Sequence, residues 1–539
     1  MTKRLLVMSA AAMALFATDA FAQNANRFGG SSTEPPPEVE VLADAVEAIS
    51  SMHMDSFADS LLWEAAIDGL LEALDDPYAE LFTPQEREVW EEDTTGNYSG
   101  IGLQITLLND EITVTAVFRG FPADEHGIAV GDVIVGVDQY DASEWGTGMA
   151  ADSIRGPVGT SVEVRIKREG YEQPIPFDIE RADVHVPAVT WGVLDSDIGY
   201  VIMDRVARNA AREMNEALAE LASARGLIID LRRNPGGFLD ESLMLADLFL
   251  QPGSTLASTV QRVPGRSAES PETDSYGDRW PQLVPELPII VLVDEFTASG
   301  AEILAGALQD YDRAAVLGQR TFGKGVVQTV MDLPHGRQLR FTTGSWLTPL
   351  GRSLQRDRDR QGQPLVENFE TLPRVETSQG RSLINGGGVF PDLEIQDDTL
   401  TTVEQDFLRA SNEAQFPLGL RITEFGFSVA AARREAGERP SVEQDEFEGF
   451  LKSLVDEGME ASLLEPNEVR SYLYWRTQMA AAQRMNDIAA EAEYRTQRDP
   501  VLTTAIELIL STNSQISLFQ SIDGRPGAPQ APGAGGGPN

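Results

Sequence analysis

Apolar positions change their spacing three times along the chain. Between 39 and 92 they recur as on a helix. Leu61, Leu62, Ala65, Ala66 and Leu70 make one stripe in FADSLLWEAAIDGLLEALDDP, and Asp76-Pro77 ends it. From 96 to 182 the spacing is that of short strands. EITVTAVF sets Ile112, Val114, Ala116 and Phe118 against Thr113, Thr115 and Val117, and SVEVRIKREG sets Val162, Val164 and Ile166 against Glu163, Arg165 and Lys167. From 183 to 398 strands alternate with helices. LIIDL (227–231) and PIIVLVDE (288–295) are unbroken apolar runs of the buried-strand type, and AAREMNEALAELASARG and SGAEILAGALQDYD are helical. That alternation predicts an α/β layer. From 399 to 522 helical spacing returns. SVEQDEFEGFLKSLVDEG stacks Phe447, Phe450, Leu451, Leu454 and Val455, opened by a Ser441/Gln444 capping box.

The two ends read differently. Residues 1–22 carry Lys3 and Arg4, the apolar run LLVMSAAAMALFA and small residues before Gln23, the pattern of a secretory signal peptide. No cysteine follows that would take a lipid, and no other apolar run approaches the ~18 residues of a membrane helix. The expected location is the periplasm, with the mature chain soluble or held only at a membrane surface. Residues 23–38 form a Gly/Ser/Pro linker, and the Pro/Gly-rich stretch 523–539 reads as a disordered tail. The chain of 539 residues has no cysteine, which excludes a thiolate nucleophile and thiolate metal sites. Its net charge of −43 argues against nucleic acid as a partner.

Lysine is scarce. Of the 42 basic residues only Lys3, Lys167, Lys324 and Lys452 are lysine. Arginine stays charged, whereas a desolvated lysine can give up its proton. Lys167 falls on the polar side of a strand and Lys452 beside a helix stripe, both ordinary solvated positions. Lys324 stands between Gly323 and Gly325 in RTFGKGVVQT, with apolar neighbours Phe322, Val326 and Val327. Ser299 stands where the strand PIIVLVDE gives way to a helix. With Glu302 it fits the S-x-x-E helix cap, and a serine at a helix N-terminus also fits a nucleophile beside free N–H groups. The four histidines, at 53, 126, 185 and 335, lie in no recognisable catalytic motif, so a lysine is the candidate base. Asn234-Pro235-Gly236-Gly237 reads as a tight turn. The N–H of Gly236 or Gly237, together with that of Gly300, could hold an oxyanion.

Taken together, DDPYAELFTPQE, YSGIGLQI, GFPADEHGIAVGDVIVGVD, IRGPVGTSVEV, GYVIMDRV, LIIDLRRNPGGFLDE, DEFTASGAEILAGALQD, GQRTFGKGVVQT, FTTGSWLTPLGRSLQ and GGGVFPDLEI resemble, in order, the carboxyl-terminal processing peptidases. These are also called tail-specific serine proteases. The resemblance spans about 40–398. It implies an α/β multidomain protein in which a PDZ domain (96–182) and a crotonase-like Ser-Lys protease core (183–398) follow the helical segment (39–92), and the helical spacing beyond it adds a C-terminal helical domain (399–522). It implies that Ser299 is the nucleophile, Lys324 the general base, and backbone N–H groups of Gly236 or Gly237 and Gly300 the oxyanion hole. Gln328, four residues past the lysine, would orient the amine, a spacing that puts both side chains on one face of a helical turn. In the PDZ segment, Gly100, Ile101, Gly102 and Leu103 would receive the terminal carboxylate. The following strand would take the peptide by β-addition, a binding event that gates the protease.

The implied activity is an endopeptidase that cleaves proteins or peptides with free apolar C-termini and needs no cofactor or metal. The family also suggests homo-oligomers and a helical-repeat lipoprotein adaptor. The sequence departs from the family pattern at Phe296 and Gly300, before and after the nucleophile, and at Arg233, where asparagine is commoner. Two rival readings stay open: a catalytically silent PDZ scaffold of the same fold, and a Ser-Lys hydrolase acting on a non-peptide amide.

Overall fold

The computed structural model describes residues 37–108, 111–118, 120–168, 170–262, 270–359, 362–523 and 525. The expected signal peptide, the linker up to residue 36 and the tail from 526 lie outside them. The chain divides into two compact units at Asp76/Pro77. The first holds the helices Pro37–Met52 and Asp59–Glu72. Their stripe is largely uncovered. Leu61 and Leu70 are exposed, and among the described residues only Val46 and Leu71 are buried there. A unit of this size has too little chain to enclose a core of its own.

In the second unit, the strands Leu103–Leu108, Glu111–Val117, Val133–Val137, Ser161–Lys167 and Ile175–Glu180 pair in that order, each antiparallel to the next. Leu103–Leu108 is therefore an edge strand, and helix Thr147–Ile154 packs beside it. Ser161–Lys167 alternates as expected, with Val162, Val164 and Ile166 buried. Glu111–Val117 does not, because Thr113 and Thr115 are buried along with Ile112 and Val114. Their hydroxyls bond back to main-chain carbonyls, of Glu111 and Gln104, each at 3.3 Å, so the methyl groups can join the core.

The large sheet that follows, also of six strands, has the order Val189–Val193, Ile198–Met203, Gly226–Asp230, Ile289–Val293, Ala315–Gly318, Leu393–Glu394. The first pair is antiparallel and the rest run parallel. Every residue of Gly226–Asp230, Ile289–Val293 and Ala315–Gly318 is buried, as unbroken apolar runs require when both faces are covered. Leu227, Ile229 and Val291 point into a core with Met214, Leu245 and Leu304 of the helices Ala210–Glu220, Leu239–Asp247 and Gly300–Asp310. Ile228, Ile290 and Leu292 point the other way, onto Leu502, Leu508 and Leu518.

Those last three leucines lie in the stretch expected to be one C-terminal helical domain. Its helices in fact divide between two cores. Thr402–Glu413, Leu418–Ala436, Gln444–Asp456 and Asn467–Met485 enclose Phe407, Phe450, Leu454 and Leu473. Ile488–Arg495, Pro500–Ser511 and Gln515–Ile522 instead form the second cover of the large sheet. An amphipathic stripe says that one face is buried but not against what. The helix Gln444–Asp456 is capped by Glu443 and Glu446 rather than Ser441 and Gln444, and Val455 falls at the exposed margin of its stripe.

A second sheet has the order Glu80–Phe82, Gln338–Leu347, Thr255–Gln261, Glu272–Gly277, with Val326–Asp332 also paired to Gln338–Leu347. It carries the chain away from Lys324. Among the described residues no helix is long and apolar enough to cross a membrane.

Candidate active site

Ser299 ends the turn that follows strand Ile289–Val293 and precedes helix Gly300–Asp310. Its backbone sits at φ 52°, ψ −115°. A non-glycine residue there is strained by roughly 1–3 kcal/mol and persists only where its surroundings hold it. They do. The Asp294 carboxylate accepts the N–H of Phe296 at 3.1 Å, the N–H of Thr297 at 2.9 Å and the Thr297 hydroxyl at 3.0 Å. The helix that follows is buried at all eleven positions.

Glu302, on that helix, ties the site together. Its Oε2 accepts the N–H of Ser299 at 2.8 Å, as an S-x-x-E cap requires, and the N–H of Lys324 at 2.8 Å. Its Oε1 accepts the N–H of Gly323 at 2.7 Å and the Thr321 hydroxyl at 2.5 Å. One oxygen thus holds the main chain of both candidate catalytic residues. Burial pushes this carboxyl above the usual range, against the opposing pull of the four donors.

Lys324 lies in the turn between Ala315–Gly318 and Val326–Asp332. At Gly323, φ is 82°, and an added Cβ would meet Arg356 Cβ at 2.7 Å, so this flank must be glycine. The lysine Nζ donates to Gln328 Oε1 at 2.7 Å and lies 4.9 Å from the centre of the Tyr78 ring. Gln328 Nε2 donates to the Tyr78 carbonyl at 2.9 Å. The pairing of Lys324 with Gln328 is the expected one, but its backbone is not a helical turn. Gln328 sits on a strand, with a register irregularity between Val327 and Gln328. Lys324 lies before that strand, so the turn and the irregularity, not a regular repeat, bring the two side chains together. The other described lysines have ordinary exposed partners, Lys167 with Glu111 and Lys452 with Asp456.

The Asn234–Gly237 turn packs against the nucleophile. Asn234 is fully buried. Its Nδ2 donates to the Met203 carbonyl, its Oδ1 accepts the Gly236 N–H and its carbonyl accepts the Ala298 N–H, each at 2.9 Å. The Gly236 N–H is therefore engaged, which narrows the expected donor to Gly237. A Cβ at Gly236 would lie 2.6 Å from Gly300 N, and one at Gly300 would lie 3.2 Å from Gly237 N. Among the described residues neither the Gly237 nor the Gly300 N–H has a protein acceptor. The site so assembled offers a strained hydroxyl, an amine steered by an amide and two converging N–H groups.

Residues 197–360 match the model of peptidase family S41, and residues 91–167 match that of the PDZ domain. The chain is 32% identical over 318 residues to a carboxy-terminal-processing protease of Bartonella bacilliformis, covering 58% of this chain and 71% of that protein. The chain belongs to peptidase family S41. A probable CtpA-like serine protease of Staphylococcus haemolyticus is 31% identical over 331 residues, with 61% of the S41 chain and 65% of that protein covered. Among solved structures, a photosystem II D1 C-terminal processing protease aligns at 24% identity and a TM-score of 0.36, covering 67% of this chain and 94% of that one.

The S41 chain is thus a serine protease with a PDZ domain. In the PDZ part, Gly100 ends the strand Asn97–Gly100, and Ile101 is buried in the domain core. The Ala123 N–H holds the Ile101 carbonyl at 2.8 Å, and the Phe118 N–H holds that of Gly102 at 3.0 Å. These bonds fix the turn that leads into Leu103 and the edge strand. Two of the departures from the family pattern meet in space. The Arg233 guanidinium lies 5.8 Å from the centre of the half-exposed Phe296 ring. Glu302 was legible in the sequence only as a helix cap, and Tyr78 and Asn234 only as parts of DDPYAELF and NPGG. Nothing in one dimension signals that three segments so far apart converge.

Proposed function

We propose that this protein is an exported endopeptidase that cleaves proteins bearing a free apolar C-terminus, by a Ser-Lys mechanism with Gln328 as the residue that positions the amine. The observation that carries the reading is the Glu302 carboxylate, which bonds the main chain of Ser299 and of Lys324 through one oxygen. Ser299 Oγ attacks the scissile carbonyl while its proton passes to the neutral Lys324 amine. The N–H groups of Gly237 and Gly300 take the oxyanion. The Lys324 ammonium then protonates the departing amine, leaving an ester on Ser299. Lys324 next draws a proton from water, which attacks the ester, and passes it to the departing Ser299 Oγ, freeing the new C-terminus and restoring the neutral amine.

The substrate tail would add to the Leu103–Leu108 edge, with Gly100, Ile101, Gly102 and Leu103 turning N–H groups toward its carboxylate. Arg233 and Phe296, beside the nucleophile, would contact the residues flanking the cleaved bond. The pattern of residues 1–22 supports export to the periplasm. Self-association and an adaptor lipoprotein belong to the same reading, as further partners of the assembled protease.

The test is cleavage of a peptide with an apolar tail, offered as the free acid and as the C-terminal amide, by wild type, Ser299→Ala and Lys324→Arg. The free acid alone should be cut at speed, and both variants should be inactive, because arginine keeps the charge but cannot serve as base. Near-normal turnover by Lys324→Arg would sink the mechanism. Failure of wild type to react with a fluorophosphonate would mark a silent scaffold instead.

A further inference from the structure

We propose that Tyr78 is a further positioning residue of the reaction, whose ring steadies the positive charge that forms on Lys324 when the amine takes the Ser299 proton. The inference rests on the Ser-Lys reading above. It adds a part drawn from DDPYAELFTPQE, a segment to which that reading gives no role. Asp76-Pro77 stops the helical pattern there, and the strand Glu80–Phe82 starts two residues past Tyr78. That strand pairs with Gln338–Leu347, as does Val326–Asp332, which carries Gln328. One strand thus places both residues.

Tyr78 meets the lysine turn in three ways. Its carbonyl accepts Gln328 Nε2 at 2.9 Å, which turns the amide oxygen toward the lysine, where it accepts from Nζ at 2.7 Å. Its ring lies under the amine, with Nζ 4.9 Å from the ring centre. Its phenol end meets Gln355 and Arg358. Those two also hold the turn itself: Gln355 Oε1 accepts the Gly325 N–H at 2.8 Å, and Arg358 donates to the Phe322 carbonyl at 2.7 Å. Burial pushes the phenol above its ordinary value, so Lys324 faces a neutral ring and not a phenolate.

The face of an aromatic ring is negative and attracts an ammonium, but it does little for a neutral amine. The attraction therefore grows as the proton leaves Ser299 Oγ for Lys324 Nζ. An interaction stronger in the transition state than at rest is the kind that raises kcat. A ring that only packed against the amine would act on pH with the opposite sign. Removing mere packing admits water, which favours the ammonium and raises the pH at which the base becomes neutral. Removing a π face disfavours the ammonium and lowers that pH. The charges packed around the turn are Glu302 on the Lys324 N–H, Arg358 at the phenol, and Arg356 against Gly323 with its partner Glu367. All of them remain in a Tyr78 variant, so the direction of the shift reports the ring.

Cleavage of the tailed peptide by the full chain, followed as a function of pH, tests this. Tyr78→Phe keeps the ring and is the reference. Against it, Tyr78→Leu should lower kcat on the alkaline plateau about three- to thirtyfold, with KM little changed. At about 1.36 kcal/mol per tenfold that is about 0.65–2 kcal/mol, the range of a cation–π contact. The acid limb of kcat/KM should move to lower pH by about 0.5–1.5 units. Trifluorophenylalanine at position 78 keeps the shape but drains the π face, and it should behave as Tyr78→Leu does. It carries the test alone should Tyr78→Leu fail to fold. A limb that stays in place or moves to higher pH overturns the proposal, as does a fluorinated ring with the kinetics of Tyr78→Phe. Tyr78→Phe as impaired as Tyr78→Leu would put the effect on the hydroxyl and overturn it too. Near-normal turnover by Lys324→Arg would instead bring down the Ser-Lys reading, and this inference with it.

Discussion

Ser299 and Lys324 stood out as candidates because each breaks a local habit, a serine at a strand–helix junction and a lysine in an arginine-rich chain, whereas Gln328 is an ordinary polar residue that only the family resemblance singled out. Glu302 was legible too, but only in its lesser role. A carboxylate that caps its own helix looks the same in sequence whether or not a second loop arrives to share it. The structure shows that it accepts from Thr321, Gly323 and Lys324 as well as from Ser299. Replacing Glu302 with glutamine keeps the shape but turns one acceptor into a donor that faces N–H groups. The Lys324 turn should then shift relative to Ser299, and a displacement of about 1 Å costs about a hundredfold in rate. We expect Glu302→Gln to lose kcat by that order, with KM little changed and the circular dichroism spectrum retained. A variant with wild-type kcat would show that the shared carboxylate does not set the geometry.

At the scale of elements, the fully buried strands were the most legible, since LIIDL and PIIVLVDE admit no solvent face. The backbone around Gln328 was not, because a four-residue interval does not reveal that the lysine sits in a turn and the glutamine past an irregularity in the next strand. The same blindness covers contacts between elements. Helix Leu239–Asp247 starts just past the Gly237 turn and ends at Asp247, beside Asp278, which follows strand Glu272–Gly277. Both aspartates are buried. Burial first, and then the Asp247 carboxylate, push Asp278 up to about 6. A carboxyl whose folded pKa exceeds its unfolded one favours folding while protonated, and that advantage is lost as pH rises through the folded value. Wild type should therefore carry a cost above about pH 6 that Asp278→Asn lacks. Thermal melts should show the variant more stable at pH 8 and the gap closing by pH 4. A gap that is constant with pH, or that widens in acid, would refute the assignment.

At the scale of the molecule, the match to family S41 ends at residue 360, yet the large sheet is not finished there. Its last strand is Leu393–Glu394, and one of its faces is closed, among the described residues, mainly by Ile488–Arg495, Pro500–Ser511 and Gln515–Ile522. Val501, Leu502, Leu508, Ile509, Leu518 and Phe519 cover Ile228, Ile290 and Leu292 there. Each such side chain fully buried is worth roughly 1.5–3 kcal/mol, so the layer as a whole rivals the 5–15 kcal/mol by which domains are stable. A polar tie adds to it. Arg232, two residues past the Gly226–Asp230 strand, donates to Asp499 at 2.7 Å, and the same aspartate caps helix Pro500–Ser511 by accepting the Leu502 N–H at 2.8 Å. The loop to the Gly237 turn starts at that arginine, so loss of the last helices should reach the oxyanion donors as well as the core. We expect a chain ending at Asp487 to be insoluble or to melt without cooperativity, while one ending at residue 525 melts and cleaves like the full chain. Cooperative unfolding and activity in the chain ending at Asp487 would mean that the sheet tolerates a bare face, and that these helices serve a partner rather than the fold.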